Sequence, residues 1–227
     1  KIAIVAVDPS SPFNFGSLLG DRLRMSEFFS SDKIFIRSMA TRGSLGGLAS
    51  KTIEVTDILK SASFDYIIVE SVGVGQSEVE IAGLADTTVV VLVPESGDEI
   101  QAFKSGVMEI ADIFVVNKAD RDGADTLVSN LKKMLTHRPD HDAELPVIKA
   151  VAITGDGIKE LFDHIKVHQS PGKHKSKRKN LLLVEKAYQL IQKNRMKDVD
   201  KRDLQQEIIK EKESGAFNLY RYIQKYL

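Results

Sequence analysis

The 227-residue chain has no cysteine and no tryptophan. Without thiols there is no disulfide framework and no thiolate metal site, and nothing points to an oxidising compartment. No apolar run approaches the ~20 residues that a membrane-spanning helix needs, so no membrane role is expected. No segment has the pattern of a secretory or transit signal. Net charge is missing as well, with 32 Lys+Arg against 32 Asp+Glu. That balance hides an asymmetry: residues 1–167 hold 17 basic against 25 acidic side chains, and residues 168–227 hold 15 against 7. Most of the tail's charges alternate along helical segments, and the one dense run, Lys173 to Lys179 (KHKSKRK), lies beside Pro171 and Gly172. This reads as a solvated linker rather than a nucleic-acid arm, and no nucleic-acid partner is expected.

What is present is a recurring alternation. Short β-branched runs (Ile2 to Val7, Ile34 to Arg37, Tyr66 to Val69, Thr88 to Val93, Ile113 to Val116, Val147 to Ile153) are separated by helix-like segments. Those segments are Leu18 to Phe29, Leu48 to Ser61, Glu78 to Leu84, Asp98 to Ile110, Ala124 to Leu135 and Gly157 to Val167. Strands apolar throughout are what a sheet covered by helices on both faces requires. The expected fold is α/β, a doubly wound, mostly parallel sheet, with function at the C-terminal ends of its strands. From about residue 168 the pattern becomes purely helical: Leu181 to Lys193, Asp200 to Lys212 and Phe217 to Leu227. The last of these spaces Phe217, Tyr220, Ile223 and Leu227 as an apolar stripe that needs a partner within the subunit or in a second copy. The expected division is therefore 1–167 and a helical extension, 168–227.

Polar groups collect where the strand runs end. Asp8 follows the first, in VDPSSP, and Glu70 ends the third, in YIIVESVGVGQSEVE, with Gly73 and Gly75 just beyond. An acid at a buried strand's end with glycines after it suits a phosphate-linked switch, because a glycine lets backbone N–H groups approach an anion. An ordinary glycine turn is the plainer reading of that segment alone. More specific is NKAD, Asn117 to Asp120, directly after a buried-strand run. A carboxylate there accepts two hydrogen bonds from the N1–H and 2-amino group of guanine, a donor pair that adenine lacks. Lys118 can lay its alkyl stem along the base. A helix N-cap at Asp120 is the plain structural alternative.

The chain resembles the MeaB/ArgK/MMAA family of P-loop GTPases, of the SIMIBI class. VDPSSPFNFGSLLGDRLRM (Val7 to Met25), RSMATRGSLGGLA (Arg37 to Ala49) and ESVGVGQSEVEIAGLAD (Glu70 to Asp86) carry the likeness. It continues through PESGDEIQAFKSGVMEIAD (Pro94 to Asp112) and NKAD. The resemblance implies a P-loop NTPase-like fold and a GTP-dependent chaperone of adenosylcobalamin-dependent methylmalonyl-CoA mutase. It implies GTP and GDP as ligands, Mg²⁺, a homodimer, and a cytoplasmic location, or the mitochondrial matrix in a eukaryote. By position it assigns Asp8, Asp21 and Glu70 to the carboxylates around Mg²⁺, Gly73 to the γ-phosphate, and Asn117, Lys118 and Asp120 to guanine. Glu70, Asp8 and Gln76 are the catalytic candidates, Gln76 as the residue that positions water. A third switch falls on Pro94 to Lys104, where Asp98, Gln101 and Lys104 would move between nucleotide and partner and Asp98 as a helix cap is the plain alternative.

Two departures stand out. Val151-Ala152 occupies the place of the usual Ser-Ala, leaving the Ala152 N–H for the base and removing a hydroxyl. No GxxxxGK[ST] occurs in the chain, so the phosphate-holding lysine and serine are missing from it. Lys1 opens directly on a strand-like run, and the expectation is that the loop lies upstream of Lys1 in the parent protein, this chain alone being nearly inactive. The alternatives are a metal-insertion GTPase of the same class, disfavoured by the lack of cysteine, and a dimeric binding module that never had the loop. The histidines His137, His141, His164, His168 and His174 read as exposed surface residues, although His164 and His168 fall four apart on a helix.

Overall fold

The computed structural model describes residues 1–8, 25–40, 50–71, 83–94, 107–136, 145–170, 184, 187–188, 190–192, 194–213, 215 and 217–226, with Asp8, Ala40, Ser50, Lys51, Val107 and Lys201 described by their backbone only. The chain divides into two compact units, Lys1–Leu182 and Leu183–Leu227.

The first unit holds β1 (Ile2–Asp8), β2 (Ile34–Ala40), α1 (Ser50–Ser61), β3 (Tyr66–Ser71) and β4 (Val89–Leu92). It continues with α2 (Val107–Ile110), β5 (Ile113–Val116), α3 (Ala124–Leu135), β6 (Val147–Lys149) and α4 (Ile158–Gln169). The strands form two three-stranded sheets, ordered β2-β1-β3 and β4-β5-β6. Every pairing is parallel, as the apolar runs alternating with helices require. The fold is α/β.

β5 shows why. Phe114 and Val116 pack with Leu127 and Leu131 of α3 on one face. Ile113 and Val115 join Ile148, Leu161 and Ile165 on the other, beneath α4. Period-two alternation thus serves two apolar faces instead of one. In the other sheet the central strand β1 buries Ala3, Val5 and Val7 with Leu59 of α1 and Leu84. Helix α4 also reaches β3, where the Phe162 and Tyr66 rings meet edge to face with centroids 5.5 Å apart.

Among the described residues β3 pairs with β1 alone and β4 with β5 alone, so each sheet has an open edge there. Ile68 is 50% exposed and Val91 is 56% exposed on those strands. Parallel strands are ordinarily covered.

Several sequence-based boundaries shift. The strand expected over Val147 to Ile153 ends at Lys149, because Val151 turns back to bridge Asp156 in antiparallel fashion. The last helix does not begin at Phe217. Asn218 caps it, its side-chain oxygen accepting from Arg221 N–H, and α6 covers Leu219–Ile223 before a 3₁₀ turn, Gln224–Tyr226. The buried residue there is Tyr222, whereas Tyr220 of the expected stripe is 77% exposed.

The second unit contains α5 (Lys201–Glu213) and α6. The Glu207 carboxylate accepts from the Tyr222 hydroxyl at 2.9 Å, the Tyr226 hydroxyl at 3.2 Å and Lys225 Nζ at 2.5 Å, fastening α6 to α5. Those donors hold the Glu207 carboxyl below its ordinary value, Lys225 contributing most.

Candidate functional site

The polar residues gather at the C-terminal ends of the strands, and the best-defined group lies beyond β5 and β6. All of β5 is buried, so the chain leaves the sheet at Asn117 from a rigid base. Asn117 N–H donates to the Leu92 carbonyl of β4 at 2.8 Å, while Ala119 N–H donates to the Ala150 carbonyl past β6 at 3.0 Å. The Asn117-to-Asp120 loop is therefore clamped from both neighbouring strands. Within it Lys118 adopts φ 55°, the left-handed conformation that a residue with a Cβ occupies only where its surroundings impose it. Asp120 is exposed.

Asp120 does not cap the following helix. Gly123 occupies that position with φ 88°, and α3 starts at Ala124. Arg121 N–H closes a turn onto the Lys118 carbonyl at 3.0 Å, which sets Asp120 apart from the helix it was expected to start.

The second loop runs from Val151 to Gly157. Thr154 N–H and Gly155 N–H both donate to the Val151 carbonyl, at 3.1 and 3.0 Å, and Val151 N–H donates to the Asp156 carbonyl at 3.0 Å. The Thr154 hydroxyl donates to the Asp156 carboxylate at 2.6 Å. Gly157 ends the turn at φ 76°, where a Cβ would stand 2.1 Å from the Lys149 carbonyl oxygen. Only glycine permits that approach.

One side-chain bond joins the two loops: Ala152 N–H donates to Asn117 Oδ1 at 3.1 Å. The N–H expected to meet the base is thus held in place by the asparagine expected to read it. Behind them Lys149 Nζ pairs with Asp125 at 2.9 Å, linking β6 to the first turn of α3. Asn117, Lys118, Asp120 and Ala152 therefore form one construction. Ile153, Thr154 and Asp156 belong to it as well, and sequence reasoning missed them, although the TGDG turn after an apolar run was their signal.

At the other sheet, β1 ends at Asp8 and β3 carries Glu70 one residue before its end. Ala6 pairs with Glu70 in register, and Asp8 lies two residues beyond Ala6. With a side-chain period of two, positions 8 and 70 fall on the same face of adjacent strands at their C-terminal end. Glu70 is exposed there. The Asp8 side chain lies outside the described residues, as do Asp21, Gly73, Gln76, Asp98, Gln101 and Lys104.

His168 departs from the expected surface histidine. Its side chain is 31% exposed, with Nε2 3.5 Å from the Asp112 carboxylate and Nδ1 2.9 Å from the Thr87 hydroxyl. Asp112 in turn accepts from Thr88 N–H at 2.8 Å. The cluster fastens the end of α4 to the start of β4, at the strand ends opposite the two loops. No described helix is long and apolar enough to cross a membrane.

A family profile described as methylmalonyl Co-A mutase-associated GTPase MeaB matches residues 1–206. A Pyrococcus abyssi protein is 50% identical over 186 residues, 78% of this chain and 57% of the relative. The mouse "methylmalonic aciduria type A homolog, mitochondrial" is 38% identical over 176 residues, 74% of this chain and 42% of the relative. The chain spans about half the length of the curated relatives it matches, 57% of the Pyrococcus abyssi protein for example. Among solved structures, HypB from Helicobacter pylori in complex with nickel aligns with a TM-score of 0.48 at 21% identity, covering 77% of this chain and 79% of that one. The chain belongs to the MeaB family of methylmalonyl Co-A mutase-associated GTPases.

Proposed function

We propose that this member of the MeaB family is the base-reading and switch-bearing part of a GTP-hydrolysing chaperone. Its partner in this reading is an adenosylcobalamin-dependent acyl-CoA mutase of the methylmalonyl-CoA mutase type, served in loading or protecting its cofactor. The observation that carries the nucleotide half is the locked pair of loops, in which Asn117 and Ala152 are joined at 3.1 Å beside the exposed Asp120. The Asp120 carboxylate accepts from N1–H and the 2-amino group of guanine, and the Lys118 stem covers one face of the base. The family description itself supports the mutase.

For the phosphate end, Glu70 and the position of Asp8 share one face at the C-terminal end of adjacent strands. Carboxylate oxygens in that arrangement fit Mg²⁺, with Asp21 as the third acid. Bound there, Mg²⁺ would neutralise phosphate charge. Gly73 would donate its N–H to the γ-phosphate, and Gln76 would orient the attacking water. Loss of that phosphate would release the loop after Glu70, and Asp98, Gln101 and Lys104 would pass the nucleotide state on. The phosphate-holding loop, absent from these residues, belongs in this reading to polypeptide outside the chain. The open edges of β3 and β4, with Ile68 and Val91 half exposed, support a further strand there. In the second unit, exposed Val184, Tyr188, Ile191 and Tyr220 support a homodimer contact.

The experiment is calorimetric and kinetic, on the parent polypeptide. GDP should bind at least ~100-fold more tightly than ADP, because an adenine leaves the site's polar groups unpaired. GTP hydrolysis should accelerate when an adenosylcobalamin-dependent mutase is added. Equal binding of GDP and ADP contradicts the base assignment; unchanged turnover with the mutase contradicts the partner.

A further inference from the structure

We propose that Ser38 is a positioning residue for the cation-binding acids: its hydroxyl donates a hydrogen bond to the Asp8 carboxylate and fixes which oxygen is left for the ion. The proposal rests on the reading of Asp8 and Glu70 given above and adds a residue behind them. Among the described residues, the Ser38 hydroxyl is the one buried side-chain oxygen or nitrogen that has no hydrogen-bond partner. A hydroxyl taken out of water without a partner is costly, and folded chains keep few of them.

The register of the sheet narrows the choice of acceptor. Met39 packs into the apolar cluster that β1 shares with α1, so period two turns Ser38 to the opposite face of β2. On that face Ser38 pairs with Ala6, and Ala6 with Glu70. The positions around Ser38 there are Ile36 and Ala40 along its own strand, and Ile4, Ala6 and Asp8 across on β1. Four of these five end in hydrocarbon, and Asp8 alone carries an acceptor. Among the described residues β2 has no second neighbouring strand to supply another. Strands ~4.8 Å apart that rise ~3.3 Å per residue put such diagonal Cα atoms about 8 Å apart, a gap that a hydroxyl and a carboxylate turned toward each other close.

The consequence is orientation. A carboxylate has two oxygens, and with one accepting from Ser38 the other is left for a divalent cation. Hydrogen bonds to ligating carboxylates hold the ligand in place, and losing one lowers metal affinity by about 10–100-fold. Packing alone gives no reason for the hydroxyl, because an apolar side chain at position 38 would fill the same place in β2 without a buried oxygen. Ser38 therefore serves the strand ends rather than the sheet, and it acts through Asp8.

The test uses the parent polypeptide loaded with GDP and titrated with Mn²⁺, an oxygen-seeking substitute for Mg²⁺ whose free form is read by electron paramagnetic resonance. Ser38→Ala should weaken Mn²⁺ binding by about 10-fold. GDP affinity measured in EDTA should stay within about twofold, because the base loops leave the other sheet. In an Asp8→Ala background the same substitution should change Mn²⁺ affinity by less than about twofold, since a residue that acts through another adds nothing once that one is gone. Mn²⁺ affinity unmoved by Ser38→Ala overturns the proposal. So does a full loss in the Asp8→Ala background, or an equal loss of GDP affinity in EDTA. The underlying carboxylate reading fails on a different result: Asp8→Ala and Glu70→Gln, each made singly, that leave Mn²⁺ affinity unchanged.

Discussion

β5 and β3 are both short, apolar, parallel strands that deliver a polar residue to the same kind of edge, yet they hold it differently. β5 has a neighbour on each side and helices over both faces, and its four residues are 0–3% exposed. Its loop inherits that rigidity, because Asn117 and Ala119 find backbone acceptors on β4 and beyond β6. β3 is paired on one side among the described residues, and its Ile68 is 50% exposed. Among the described residues, Glu70 therefore stands at the end of a strand paired on one side. In the proposed reading the β5 loop reads a base and profits from a fixed edge, since selectivity depends on donors and acceptors that do not yield. The Glu70 end, proposed to sense a phosphate, would have to let go when the phosphate leaves.

The largest expected effect tests that contrast directly. Phe114→Ala on β5 should cost about 3–5 kcal/mol in denaturant unfolding of this chain, the range for truncating a fully enclosed aromatic. Ile68→Ala on β3 should cost less than about 1 kcal/mol, because half of its surface is already in water. The contrast sharpens in the parent polypeptide: with a further strand against β3, the Ile68→Ala cost should rise to about 2–3 kcal/mol. An unchanged small cost there would remove the added strand.

A middle-sized effect concerns the loop beyond β6. Gly157→Ala places a methyl 2.1 Å from the Lys149 carbonyl oxygen at φ 76°. The backbone has to move, at a cost of about 2–3 kcal/mol, and a thermal melt reads it. The same substitution at Gly155, where nothing lies within 4 Å, should carry only the conformational penalty of about 1–2 kcal/mol. Equal losses at the two glycines would mean that the turn is not seated on β6.

The smallest effect lies on α4. Lys159 first and Lys166 second hold the Asp163 carboxyl down to about 2, through contacts of 2.7 and 2.9 Å. Because the folded value is depressed, the contribution is present above the ordinary carboxylate range near 3.8. It is lost as pH falls through about 2. An NMR titration should place the Asp163 midpoint near 2, and Lys159→Ala should raise it. All three groups are exposed, so the helix should lose little overall stability.

The two regions also differ in how far they could be read beforehand. β5 and α3 are legible residue for residue, because an unbroken apolar run and an amphipathic helix after a glycine leave few alternatives. Beyond β6 the same logic overshot: Val151 and Ile153 look like strand, but a strand ends where glycines with positive φ turn the chain, not where apolar residues stop. The NKAD motif is visible in four letters, whereas the bond from Ala152 to Asn117 spans 35 residues and no local pattern announces it. The Thr87–His168 contact spans 81 residues, so the local pattern around His168 reads as that of an ordinary surface histidine. The register of the last helix was hidden by Asn218, a capping residue inside what looked like a continuous apolar period.

The central claim is that the β5 and β6 loops read guanine through the Asp120 carboxylate. Replacing Asp120 with Asn exchanges an acceptor for an amide that can also donate, which suits the 2-oxo group of xanthine and no longer suits the 2-amino group of guanine. Dissociation constants of GDP and xanthosine diphosphate, measured for the parent polypeptide with and without Asp120→Asn, test it most directly. The account predicts that the preference reverses, GDP for the unmodified protein and xanthosine diphosphate for the variant; a variant that still prefers GDP by the original ratio contradicts it.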